Sequence, residues 1–104
     1  MDIVLIAKKG GPVQVLPDPA TVAVGENVAW VAYYDSPDAE TVEWTVYFSG
    51  SSPFPGWWSP GSVKTGPRQT GRLEAGSAQS PGDYKYGVRL VSVQNEQLLS
   101  DDDP

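Results

Sequence analysis

The sequence predicts an all-β fold, an antiparallel β-sandwich of about seven or eight strands. Three observations lead there. Ten prolines and eleven glycines in 104 residues leave little uninterrupted chain for helix, and no window keeps apolar residues at helical spacing. Three runs instead alternate with period 2 and are rich in β-branched and aromatic residues, which is the pattern of a half-buried strand. Turn chemistry then punctuates the chain at short intervals, as in Gly10-Gly11-Pro12, Pro17-Asp18-Pro19, Gly25-Glu26-Asn27 and Ser80-Pro81-Gly82-Asp83.

The three runs define the expected core. In the first, Val28, Trp30, Ala32 and Tyr34 share one face, while Val31 and Tyr33 make the second face apolar as well. A strand apolar on both faces reads as central or covered. In the second, Val42, Trp44, Val46 and Phe48 alternate with Glu43, Thr45 and Tyr47. In the third, Tyr84, Tyr86, Val88 and Leu90 point inward, with Lys85 and Arg89 outward. One of Tyr84 and Tyr86 is expected to hold a loop backbone through its hydroxyl, as corner tyrosines of sandwiches do. Weaker strand patterns cover Asp2–Ala7, Val13–Leu16, Thr21–Val24, Gln69–Leu73 and Glu96–Ser100. The chain reads as a single domain over residues 1–100, and residues 101–104 read as an acidic tail, a solvated end or the edge of a linker.

Composition removes several classes of chemistry. The chain has no cysteine and no histidine. Disulfide scaffolds, the usual zinc sites, thiol nucleophiles and histidine-based acid–base catalysis are therefore excluded. Serines are plentiful, yet none has a histidine to activate it. Thirteen acids against seven bases give a net charge of −6, with Asp101, Asp102 and Asp103 at the end of the chain. The bases are scattered, so no stripe of positive charge tracks a phosphate backbone and nucleic acid is not an expected partner. The apolar run Ile3–Ala7 is too short for a signal-peptide core or a membrane span. Neither a signal peptide nor membrane insertion is expected of this stretch, and the compartment stays open.

One segment calls for a functional reading. Ser49–Ser62, SGSSPFPGWWSPGS, sets Trp57 and Trp58 side by side among prolines, glycines and serines. Neighbours in extended chain point to opposite sides. The expectation is that one ring packs over the edge of the sandwich and the other stays exposed on a loop stiffened by Pro53, Pro55, Pro60 and Pro67. The segment from Ser49 to Pro67 exceeds the length at which structureless loops become uncommon, and such loops are often functional. Trp57, Trp58 and Phe54, with Tyr47 on the outward face of its strand, are the candidate ligand-binding residues, for a protein, peptide or carbohydrate partner. The carboxylates Asp35, Asp38, Glu40 and Glu43 form a further cluster. Their spacing matches no calcium loop and they read as a solvated rim. No catalytic residue, metal ligand or cofactor is expected.

Three segments, taken in order, carry a family resemblance. They are Pro19-Ala-Thr-Val-Ala-Val-Gly-Glu-Asn-Val-Ala-Trp30, Asp35-Ser-Pro-Asp-Ala-Glu-Thr-Val42 and Ser80-Pro-Gly-Asp-Tyr-Lys-Tyr-Gly-Val88. Together they resemble the cupredoxins, the small blue-copper β-sandwiches. The resemblance places the first copper histidine at Glu40 and the copper cysteine at Val88, and neither a second histidine nor a methionine follows within Arg89–Gln94. Copper of this kind needs thiolate and imidazole ligands. The resemblance therefore implies a copper-free cupredoxin-like scaffold, with an immunoglobulin-like sandwich as the alternative. The expected function is that of a non-enzymatic binding or interaction module. The alternative is a structural spacer domain with no ligand of its own.

Overall fold

A computed structural model of the chain describes residues 1–37, 39–54 and 61–102. Among them eight strands form two four-stranded sheets and no helix. The strands are β1 (Asp2–Ala7), β2 (Gln14–Leu16), β3 (Asn27–Tyr34), β4 (Val42–Phe48), β5 (Gly61–Thr65), β6 (Thr70–Ser77), β7 (Tyr86–Ser92) and β8 (Leu98–Asp102). The first sheet has the order β2-β1-β3-β6 and the second β5-β4-β7-β8. No helix among the described residues is long and apolar enough to cross a membrane.

Period-2 patterning decides which side chains enter the space between the sheets. Ile3, Leu5 and Ala7 of β1, Val28, Trp30, Ala32 and Tyr34 of β3, Val42, Trp44 and Val46 of β4, and Val88 and Leu90 of β7 are all buried in one cluster. Phe48 and Tyr86 pack against it half-buried. Lys85 and Arg89 are exposed. The apolar second face of β3 has the expected explanation, because this strand lies between β1 and β6. Its register against β6 shifts between Val28 and Ala29. Gly76, at φ 80°, lies opposite that shift. A positive φ there is cheap only for glycine.

The structure differs from the sequence expectations in five places. The pairing of β1 with β3 is parallel, whereas every other pair is antiparallel. Both strands leave from the same end because the chain crosses back through β2 and the loop after it. Thr21–Val24 forms no strand. Its backbone closes a turn instead, in which Ala23 N donates to Glu26 Oε1 at 3.0 Å and Glu26 N donates to Ala23 O at 3.0 Å. Gly61–Thr65, read as part of a long loop, is the edge strand β5. Its inward residues are Gly61, Val63 and Thr65, and a single apolar side chain among them is too little to mark a strand by hydrophobicity. Finally, Tyr84 precedes β7 and is half-buried rather than strand-borne. The last strand also sits two residues later than its pattern, so β8 takes in Asp101 and Asp102.

Candidate functional site

The alternating direction of the strands gives the sandwich two ends of different character. At one end lie Val28, Trp30, Phe48 and Tyr86, because β3 starts there, β4 finishes there and β7 starts there; Phe48 is the register partner of Tyr86. Three connections run over this end, residues 17–26, the 49–54 stretch and residues 78–85. Main-chain hydrogen bonds join them. Gly25 N donates to Ala78 O at 2.7 Å, Ala78 N to Glu26 O at 3.0 Å and Gln79 N to Pro53 O at 2.7 Å. The connection 78–85 is thus fastened to both others.

Between them is a cleft of about 390 Å³. Its apolar base holds Ile3, Val28 and Trp30, with Phe48, Phe54 and Tyr86 beside them. These rings meet edge-on. Trp30 lies 5.8 Å from Phe54 and 5.4 Å from Tyr86, centroid to centroid, and Phe48 lies 6.0 Å from Phe54. Edge-to-face pairs of this kind contribute about 0.5–1.5 kcal/mol each beyond the area they bury. Prolines stiffen the rim, with Pro19, Pro53 and Pro81 each from a different connection. Asp83 and Tyr84 complete it. The Tyr84 hydroxyl donates to Ser80 O at 3.3 Å and Pro81 O at 3.2 Å, so it is the corner tyrosine that the sequence pattern called for. It fixes the turn that carries Gly82 at φ 139°.

The candidate residues from the sequence are distributed unevenly over this geometry. Phe54 is only 7% exposed and forms part of the cleft wall and of the core at once. Trp57 and Trp58 lie outside the described residues. Tyr47 stands on the outer face of the second sheet, away from the cleft. Its hydroxyl donates to Asp101 Oδ1 at 2.7 Å and the Arg89 guanidinium lies 5.1 Å from its ring centroid. Asp101 also meets Arg89 Nε at 3.5 Å, which makes a three-strand surface cluster of β4, β7 and β8. Sequence reading missed Trp30, Phe48, Tyr84 and Tyr86 as cleft residues. Alternation marked them as inward-facing, but only the register shows that they gather at one end.

The opposite end is closed by polar groups. The buried Tyr34 donates its hydroxyl hydrogen to Glu40 Oε2 at 3.0 Å. Burial, joined by the Glu40 carboxylate, pushes the Tyr34 hydroxyl above its ordinary range, and a hydrogen bond with Ser36 opposes the rise. Arg68 N donates to Tyr34 O at 2.7 Å, Asp35 N to Ala7 O at 2.7 Å, Val93 N to Thr41 O at 2.9 Å and Thr41 N to Gln94 Oε1 at 3.1 Å. Of the acidic cluster, Asp35 lies 3.9 Å from Lys8 Nζ, Glu43 opposes Lys64 across the β4–β5 pair, and Asp38 lies outside the described residues. Among the described residues no group of three or more potential metal-binding side chains converges.

The two positions that the cupredoxin resemblance assigns to copper ligands also fail to face one point. Val88 pairs with Val46, whereas Val42, next to the Glu40 end, pairs with Ser92. Four residues of strand at ~3.3 Å each separate those pairs by about 13 Å. Val88 is moreover buried among apolar side chains. A single metal ion cannot bridge that separation. Comparison with protein families, with curated proteins and with solved structures found no match.

Proposed function

We propose that this protein is a non-enzymatic binding module and that the aromatic cleft between residues 17–26, 49–54 and 78–85 is its ligand site. The observation that carries the reading is a cleft of ligand size in which the wall of residues 78–85 is hydrogen-bonded to each of the other two. Small-molecule sites are concave, mostly apolar and largely formed in advance, with volumes of about 300–1,000 Å³. Walls fastened before binding reduce the ordering cost of association. Binding rather than catalysis is favoured by the lining, in which Asp83 is the sole carboxylate among the described residues and has no second acid or base beside it. A carboxylate pair is the minimum for acid–base work of the glycosidase kind.

For the scaffold, we favour the copper-free cupredoxin-like reading over the immunoglobulin-like one. Immunoglobulin constant domains pair strands ABED and CFG, in which the first strand lies at a sheet edge. Here β1 is internal, between β2 and a parallel β3. That difference supports the choice. Fold analogy does not reach the ligand, because function resides in the site.

The test is a screen of small molecules, glycans and short peptides against the isotope-labelled chain, read by amide chemical shifts. The expected result is a set of saturable shifts concentrated at residues 78–84, Phe54 and Trp30. Hits that shift only the outer sheet faces would move the site elsewhere. A chain that answers to none of the three libraries would favour the spacer role.

A further inference from the structure

The cleft has a one-sided chemistry, and from it we infer that the ligand is a small organic cation, an ammonium group carried on an apolar body. The inference rests on the reading of the cleft as the ligand site. Asp83 is the only charged side chain among the described residues that line the cleft. It is exposed and has no hydrogen-bond or ion-pair partner among them. No lysine or arginine among those residues reaches the lining. The Tyr84 hydroxyl has already given its hydrogen to the carbonyls of Ser80 and Pro81, so toward the cleft it offers oxygen lone pairs. An anion would thus find acceptors and no cationic donor. Aromatic rings attract cations through their negative faces, most effectively where water is excluded, and an ammonium that retains apolar substituents gains from both the rings and the hydrophobic base. The net charge of −6 adds a favourable long-range field for a cation. A volume of about 390 Å³ fits a small molecule rather than a length of polypeptide.

Three probes of similar shape separate charge from apolar contact: benzyltrimethylammonium, benzyl alcohol and phenylacetate. Each is titrated into the full chain and into Asp83→Asn, with amide shifts of residues 78–84 as readout and circular dichroism as the check on folding. The expected result is saturable binding of the ammonium at these residues, about fivefold to tenfold tighter than the alcohol, with phenylacetate weakest. In Asp83→Asn the ammonium is expected to fall toward the affinity of the alcohol, while the alcohol is unchanged. If the alcohol or phenylacetate binds in the cleft as tightly as the ammonium, or if Asp83→Asn leaves the preference intact, the cation assignment is overturned and the cleft still stands as a ligand site. If no probe shifts these residues, the cation assignment is overturned, and the reading of the cleft as a ligand site is decided by the library screen.

Discussion

The two ends of this sandwich are built from the same strands and are finished in opposite ways. At the end where β3 and β7 begin, rings pack on rings, prolines stiffen the rim, and a cleft is left open above Trp30. At the other end, Tyr34 and Glu40 are hydrogen-bonded, loop amides reach carbonyls of neighbouring strands, and Trp44 Nε1 donates to the buried Thr65 Oγ1 at 2.9 Å. The contrast shows how a small domain separates its tasks. Directional polar contacts seal one end and fix the register, since an unmade buried hydrogen bond costs more than a made one contributes. Edge-to-face aromatic packing at the other end leaves an open volume beside the rings.

The tryptophans offer the largest test of this contrast. Trp44→Ala is expected to cost about 4–5 kcal/mol, since it leaves an enclosed cavity and removes the donor to Thr65. Trp30→Ala is expected to cost about 3–4 kcal/mol, because the open cleft lets Phe48, Phe54 and Tyr86 relax into the space. Urea unfolding of both variants decides the order. A costlier Trp30→Ala would mean that the aromatic end is the tighter one.

Gly71 tests the side on which the sheets close. A Cβ at this position would come 2.7 Å from Thr65 Cγ2 and 3.0 Å from Val63 Cγ2. Gly71→Ala is therefore expected to destabilise by about 2 kcal/mol through overpacking. If its urea midpoint matches that of the parent chain, the β5–β6 contact is looser than the structure shows.

Tyr34→Phe removes the Glu40 bond from the polar end and is expected to cost about 1–2 kcal/mol. The same residue supplies a pH signature. Its hydroxyl titrates higher in the folded chain than in the unfolded one. Above the unfolded value of about 10 the unfolded state loses its proton first, so stability is full below that pH and declines as pH rises toward the folded value. Denaturation midpoints between pH 8 and pH 11 are expected to fall more steeply in the parent chain than in Tyr34→Phe. Equal slopes would remove Tyr34 as the cause.

The smallest expected effect has the opposite sign. Ser92 is fully buried at the polar end, and its hydroxyl has no hydrogen-bond partner among the described residues. Ser92→Ala is expected to raise stability by about 0.5–1 kcal/mol, because an unpaired buried polar group is removed at almost constant volume. A loss of stability would reveal a partner for that hydroxyl and strengthen the account of a sealed end.

By itself the sequence determined the all-β class, most of the inward faces and the absence of histidine and cysteine chemistry. Period-2 alternation is a local property, and Val42-Glu-Trp-Thr-Val-Tyr-Phe48 carries it without reference to the rest of the chain. The corner role of a tyrosine at Tyr84 or Tyr86 was legible for the same reason, since the turn that it holds lies only three or four residues away. What the tertiary structure decided depends on register and on competition for partners. Thr21–Val24 has strand composition but its Ala23 is held in a turn with Glu26, while Gly61–Thr65 has poor strand composition and pairs because β4 offers it an edge. The cleft belongs to this second class. Trp30, Phe48 and Tyr86 lie on three different strands and each alone reads as core, while Phe54 reads as a loop residue. Only the antiparallel register of β4 with β7, and the hydrogen bonds that fasten Ala78 to Gly25 and Gln79 to Pro53, bring them to one end and leave a volume above them.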